Sequence, residues 1–310
     1  MHILVLNCGS SSVKADLVRT EDGERLLSVR VDRVGEDRPQ LRFSDAPEAE
    51  ACPASGVEAV LTHVLPLVAQ RAEPLGLDAI GHRVVHGGDA FSEPVPIDET
   101  VKDQIRRLCQ LAPLHNPINL AGIEACQRQW PDLPQIAVFD TAFHHSLPRR
   151  AIEYAIPREV ATRHGIRRYG FHGTSHQYVA RQAAAFLNRP LRQLRLITCH
   201  LGSGASVCAV EYGRSVETSM GMTPLEGLVM GTRSGDLDPG IILHLLLQGG
   251  MSPEEVDYML NKTSGLQGLA GDNDMRDLEE RAAQGDESAR LAIQVFSHQV
   301  RKYIGAYAAV

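Results

Sequence analysis

Lysine is scarce in this 310-residue chain: Lys14, Lys102, Lys262 and Lys302 are the only four among 31 basic residues. Acidic residues number 38, which leaves a formal charge of −7. A mildly acidic chain lacks the basic footprint of a general nucleic-acid or anionic-membrane binder. Long apolar runs are also missing. The longest, Ile241–Leu247, is interrupted by His244 and is far too short to span a bilayer. Residues 1–6 carry no basic stretch ahead of their apolar run, so no secretory signal is expected. The six cysteines (Cys8, Cys52, Cys109, Cys126, Cys199 and Cys208) form no C-x-x-C pair. That argues against a zinc ribbon or disulfide framework and for buried, reduced thiols. No Gly-Lys dipeptide occurs, which excludes the common G-x-x-x-x-G-K-[ST] phosphate loop. With 43% hydrophobic and 22% charged residues, the remainder is an ordinary globular composition. Its length suggests two domains, and the expectation is a cytoplasmic enzyme or binding protein.

The chain opens with an apolar strand, Ile3–Leu6, then a Cys8-Gly9-Ser10-Ser11-Ser12 turn. Val13, Ala15 and Leu17 then alternate with Lys14, Asp16 and Val18, which reads as a returning strand. Residues 21–56, broken by Pro39, Pro47 and Pro53, read as loops and short strands. Val57–Arg71 has helical character that Pro66 should end or kink. Ile80–Val85 and Gln135–Phe139 read as strands. Asp98–Leu111 and Asn116–Gln129 read as helices, the second with Pro117 in its first turn. The second half repeats the opening: Leu194–Ile197 leads into His200-Leu201-Gly202-Ser203-Gly204 and a returning strand. Gly9 set against Gly202 pairs Asn7 with His200, and one inserted residue then matches Val13 with Val207 and Ala15 with Ala209. Two strand–turn–strand units imply a duplicated α/β domain with a cleft between copies. The domains are expected at 1–145 and 146–310, with Phe143–Arg150 as the least structured connection.

Gly/Ser turns present backbone N–H groups and hydroxyls to phosphate oxygens, and Lys14 adds a charge beside the first turn. Gly202–Ser206 lacks the third glycine of the dinucleotide fingerprint and precedes a strand, which disfavours a dehydrogenase. His82/His86 and His172/His176 have the i, i+4 spacing of a zinc pair, with His144, His145 and His200 as further candidates. The first pair falls on a strand, however, and Gly173 stands where a helical zincin has glutamate. Arg83 precedes Val85-His86-Gly87-Gly88, and Arg233 lies in Gly231-Thr232-Arg233-Ser234-Gly235-Asp236. Two guanidinium forks beside glycine turns suit a carboxylate and a phosphoryl group.

Five segments together resemble the acetate kinase family: Asn7–Lys14, Gly81–Gly88, Phe139–His144, Tyr169–His176 and Gly231–Gly240. The likeness runs in family order along the whole chain. The family, with the related propionate and butyrate kinases, belongs with sugar kinases, heat-shock ATPases and actin. The resemblance therefore implies duplicated actin-like (ribonuclease H-like) α/β domains. It implies reversible ATP-dependent phosphorylation of acetate to acetyl phosphate with Mg²⁺ (or Mn²⁺), in a homodimer joined through the second domain. Arg83 would hold the substrate carboxylate, and Val85, Leu114, Phe171 and Pro224 would line the methyl pocket. Asp140 would be the active-site carboxylate, and His172 and Arg233 would stabilise the phosphoryl group in flight. Asn7 and Asp140 would face the metal. Ser10, Ser12, Lys14, His200, Leu201, Gly202, Ser203, Gly204, Asp274, Met275 and Arg276 would lie along the nucleotide. Because acetate is already ionised at neutral pH, no general base is needed, and Asp140 is expected to organise rather than deprotonate.

The chain departs from the family pattern in three places. Ser203 replaces the asparagine of His-Leu-Gly-Asn-Gly, and Glu217 replaces the aspartate of Asp-Thr-Ser-Met-Gly. The Gly-Gly-Ile-Gly-Glu-Asn adenosine loop and a later metal-linked glutamate have no counterpart. Leu291–Val310 reads as a helix that is apolar to its last position, so the second domain is expected to be incomplete at its C-terminus. Propionate or butyrate kinase, and a truncated homologue that only binds ligand, are the alternatives. Val85 at a pocket position favours the smaller acid.

Overall fold

A computed structural model describes residues 1–9, 11–36, 38–46 and 48–310. The chain forms two compact units, Met1–Ala142 and Phe143–Val310.

The first unit is built on an eight-stranded sheet in the order β5-β4-β3-β2-β1-β6-β8-β7. Its strands are β1 (His2–Cys8), β2 (Ser12–Arg19), β3 (Arg25–Asp32), β4 (Gln40–Phe43), β5 (Glu50–Ala51), β6 (Ala79–Val84), β7 (Val95–Pro96) and β8 (Gln135–Phe139). β1 and β2 form the expected hairpin, and β6 and β8 join in parallel on the other side of β1. Period-two alternation sends Leu4, Leu6 and Cys8 of β1 and Val13, Ala15 and Leu17 of β2 to one buried face. Helices α1 (Val57–Ala72) and α3 (Asn116–Gln129) pack there, with α2 (Glu99–Arg107) against α3. Asn7 and Lys14 stand opposite each other in the ladder, on the other face.

Two local expectations need correction. Residues 21–56 hold a full eight-residue strand, β3, whose Leu27, Val29 and Val31 join the core. Helix α1 runs unbroken through Pro66, which lies on its exposed side. Proline costs about 3 kcal/mol in a helix interior. Val60, Leu61, Val64, Leu65 and Val68 are all buried around it, at about 1.5–3 kcal/mol each, so burial prevails.

The second unit holds a three-stranded antiparallel sheet, β11-β10-β9, made of β9 (Arg195–Leu201), β10 (Ala205–Glu211) and β11 (Arg214–Thr218). Every residue of β10 from Ala205 to Val210 is buried, because α6 (Gly173–Phe186) and α11 (Glu287–Ala308) both pack on this sheet. Short helices α4 (Arg149–Ile152) and α5 (Arg158–His164) precede α6. Beyond the sheet come α7 (Pro239–Leu247), α8 (Pro253–Tyr258), α9 (Gly265–Ala270) and α10 (Met275–Ala283). Leu266, Leu278, Ala289 and Ala292 join α9, α10 and α11 in a separate core. The connection 143–150 contains a 3₁₀ turn and the start of α4, so it is more ordered than its sequence suggested.

The hairpin recurs, but in a different register from the one expected. Asn7 lies opposite Lys14 in the first unit, and His200 lies opposite Ser206 in the second. Matched through Asn7 and His200, Ala15 therefore corresponds to Val207. The second turn is one residue shorter, where the sequence alignment had inserted one. Both alignments keep the apolar alternation, since a two-residue slip preserves the face, and turn length decides between them.

Close packing of α3 on β1 depends on Gly122, where a Cβ would lie 2.8 Å from Cys8 Sγ and 3.3 Å from Leu6 Cδ2. Gly122→Val is expected to lower stability by about 1–3 kcal/mol through overpacking. The check is a lower urea midpoint with an unchanged m-value.

Candidate functional site

In the first unit, the site residues gather at the carboxyl ends of the parallel strands, the usual location for ligands in open α/β sheets. The pairing of Leu6 with His82 brings Asn7 level with Arg83, and Asp140 follows directly after β8. Arg83 Nε donates to Asp140 Oδ1 and Oδ2 at 3.0 and 3.2 Å, and Nη2 donates to Oδ2 at 2.5 Å. Its Nη1 donates to Asn7 Oδ1 at 3.1 Å. The Asp140 side chain is 1% exposed and that of Arg83 34%. The neighbouring carboxylate holds the Arg83 guanidinium above its ordinary value. A guanidinium has five N–H bonds, so these contacts leave a further N–H on each terminal nitrogen.

Two buried asparagines of α3, which sequence reasoning missed, fix this end of the sheet. Asn119 donates to the Cys8 carbonyl at 2.9 Å and accepts from the Val85 amide at 3.0 Å. Asn116 donates to the His86 carbonyl and accepts from its amide, both at 3.0 Å. Their spacing, three apart at a helix start, was the available signal. Val85 is 6% exposed and Leu114, in the turn before α3, is 44% exposed. Ser12 begins β2 beside Lys14, while Ser10 lies outside the described residues.

In the second unit, His172 and the Gly231–Arg233 loop meet the Gly202–Gly204 turn. Gly231 N donates to Ser203 O at 3.0 Å, and a Cβ on Gly231 would lie 3.5 Å from Asn273 Cβ. A Cβ on Gly204 would lie 3.4 Å from His172 Cε1 and Nε2 and 3.6 Å from Arg233 Nη1. The imidazole and the guanidinium thus both lie against one small residue. His172 stacks on His200 with ring centroids 4.0 Å apart, and His200 Nδ1 bonds Ser175 Oγ at 2.9 Å. His172 caps α6 with φ +58°, a left-handed conformation that side-chain-bearing residues rarely adopt and that clusters at functional sites. Arg233 Nη1 donates to Pro224 O at 2.9 Å. Its loop is tied to residues 260–266 by Ser234 N to Leu260 O, Ser264 N to Thr232 O and Leu266 N to Met230 O. Gly265, at φ +60°, is indispensable there, since its Cβ would fall 2.1 Å from Met230 O. Asp274 caps α10 and pairs with Arg276, which draws its carboxyl down to about 2. Met275 begins that helix. Phe171 is 1% exposed, and Leu201 is 54% exposed beside the open Gly202 and Ser203.

The turns differ from the expected amide cradle in one respect. Gly9 N donates to Ser12 O at 2.8 Å and Gly202 N to Gly204 O at 3.1 Å, so both amides close their own turns.

The zinc alternative has no cluster behind it. Among the described residues no group of three or more His, Cys, Asp or Glu side chains could hold a metal. His82 Nε2 donates to Gln135 Oε1 at 2.7 Å, and burial pushes the imidazole down to about 4. His86 is likewise pushed down to about 4 by burial. Cys8 and Cys208 are buried, and burial raises each thiol to about 12, as inert core residues require. Among the described residues no helix is long and apolar enough to cross a membrane.

The acetokinase family model matches residues 2–310. Acetate kinase from Streptomyces coelicolor is 54% identical over the whole chain, which spans 78% of that protein. Acetate kinase from Caldicellulosiruptor saccharolyticus is 49% identical over the whole chain, which spans 80% of it. A propionate kinase from Francisella tularensis superposes with TM-score 0.94 at 44% identity, covering 99% of this chain and 80% of the other. Porphyromonas gingivalis acetate kinase gives TM-score 0.90 at 39% identity, covering 99% and 79%. The protein has the duplicated actin-like α/β fold of a kinase. It belongs to the acetokinase family.

Breaking the buried pair in the first unit is expected to be costly. Arg83→Leu removes the guanidinium from the buried Asp140 carboxylate and should lower stability by about 3–5 kcal/mol. The double variant Arg83→Leu/Asp140→Leu should recover most of that loss, and urea denaturation of the three proteins checks both.

Proposed function

We propose that the chain catalyses reversible, ATP-dependent phosphorylation of acetate to acetyl phosphate by direct in-line transfer to the carboxylate. The observation that carries this reading is the placement of His172 and Arg233 together against Gly204, in a chain whose relatives are named acetate kinase. Phosphoryl transfer needs positioning and charge stabilisation rather than covalent help. An imidazole and a guanidinium beside a glycine that permits close approach supply both.

Arg83 binds the substrate carboxylate through the N–H bonds left on its terminal nitrogens. Asp140, with both oxygens engaged by Arg83, orients that guanidinium and takes no proton from the acid. Acetate needs no base, because carboxylic acids titrate far below neutrality. Val85 and Leu114 face the methyl group. Ser12, Lys14, the His200–Gly204 turn and Asp274–Arg276 serve the nucleotide and its phosphates.

Asn7 Oδ1 and the Asp140 carboxylate form a hard oxygen donor set, which fits Mg²⁺ or Mn²⁺. Such a metal would neutralise charge on the phosphate oxygens. Cytoplasmic residence and a homodimer belong to the same reading.

Capture of acetyl phosphate as its hydroxamate tests the activity directly. Arg233→Ala is expected to lower kcat by about 10³–10⁵-fold; near-normal turnover would remove Arg233 from the phosphoryl site. Acetate is also expected to exceed propionate in kcat/KM by about 10–200-fold, the range one methylene supplies. Equal values would favour the wider short-chain acyl kinase reading. Nucleotide binding without any product would leave a ligand-binding homologue.

A further inference from the structure

The ring of His172 is held on its inner side by a chain of hydrogen bonds that leads away from Gly204. His172 Nδ1 is 2.8 Å from Ser206 Oγ. The same oxygen is 2.8 Å from Nε2 of His176, whose Nδ1 is 2.8 Å from Thr198 Oγ1. Thr198 Oγ1 in turn donates to the Cys208 carbonyl at 3.4 Å. Thr198, Ser206 and His176 are all buried, at 4%, 0% and 1% exposure.

A carbonyl only accepts, and each hydroxyl carries one hydrogen, so the chain has a direction. Thr198 gives its hydrogen to Cys208 O and therefore accepts from His176 Nδ1–H. In the neutral form, a His176 that gives its Nδ1 hydrogen to Thr198 presents a lone pair at Nε2. That lone pair takes the Ser206 hydroxyl hydrogen. Ser206 Oγ is then left to accept, and its donor is His172 Nδ1–H. The nitrogen of His172 beside the Gly204 turn is the other one, Nε2.

We propose that Thr198, His176 and Ser206 are positioning residues that hold neutral His172 in its Nδ1–H form, so that Nε2 is where it gains and loses a proton. His172 then donates a hydrogen bond on the Gly204 side only as the imidazolium. In that state its charge and its N–H act together on a phosphoryl oxygen. The last step rests on the phosphoryl-transfer reading above, whereas the tautomer does not. Neutral imidazole in water prefers the opposite form, with the proton on Nε2, so the assignment is distinctive.

Long-range ¹H–¹⁵N NMR of the full chain, above the titration range of His172, tests the tautomer. The His172→Gln and His176→Gln variants assign the two rings. The wild-type protein is expected to show Nδ1 protonated and Nε2 unprotonated in both. Thr198→Val keeps the side-chain shape and removes the hydroxyl. It should move His172 toward the Nε2–H form and lower kcat by about tenfold or more, with KM for ATP and acetate within about twofold. Thr198→Ser should restore both. A wild-type His172 protonated at Nε2 when neutral would overturn the proposal, as would a Thr198→Val protein with the wild-type pattern. If Thr198→Val fails to fold, the wild-type spectrum alone decides. If the spectrum is as expected but no acetyl phosphate forms, the reading of the reaction fails and the tautomer assignment stands.

Discussion

Asp140 is a carboxylate with almost no access to water, and the first unit is arranged around making that tolerable. An isolated buried charge costs far more than a small domain's net stability, so it must be paired and hydrogen-bonded. Arg83 meets the requirement because a guanidinium addresses both carboxylate oxygens at once, which a lysine ammonium cannot. The pairing in turn constrains the sheet. β6 must lie beside β1 in the register that sets Arg83 level with Asn7, and β8 must end one residue before Asp140. Asn116 and Asn119 then hold the chain where β1 and β6 leave the sheet, by satisfying backbone groups that no longer have a strand partner. An ion pair that contributes little net stability in itself thereby fixes the position of a cation at the strand ends.

The second unit orders its turn through a hydrogen-bonded network. That network consists of two hydroxyls, a buried imidazole and a carbonyl, linked in one line. A fully satisfied polar network of this kind rigidifies its surroundings, and a partly satisfied one would be costly in so dry a place. Around it, glycines allow main chain to approach main chain. Gly265 admits the Met230 and Arg233 carbonyls, and Gly204 admits His172 and Arg233. The left-handed backbone of His172 is the local strain that this packing sustains.

Much of the fold was legible because its signals are local. Short apolar runs announced β1 and β9, alternation announced β2, and Pro117 marked the first turn of α3. The failures were cases where distant packing outweighed a local rule. Pro66 stays inside α1 because the buried face on either side of it outweighs one lost hydrogen bond. β3 forms in a stretch that looked irregular because β2 and β4 flank it on both edges. The hairpin register of the second unit escaped the sequence because an apolar alternation looks the same after a shift of two residues.

The site divides along the same line. Residue types that meet a ligand advertise themselves, since glycine turns, arginines beside them and a histidine before a helix are unusual in combination. The residues that hold them in place do not. Asn119 is 111 positions from the carbonyl it binds, and Ser206 is 34 positions from His172. Nothing in a single sequence links such partners until the chain is folded. His176 shows the limit most clearly. Its spacing from His172 was visible and suggested a shared metal, but a helix places residues four apart on one face whether or not they share a ligand. What they share here is a serine hydroxyl from β10, and one oxygen lying 2.8 Å from both rings gives that spacing a physical reason without any metal.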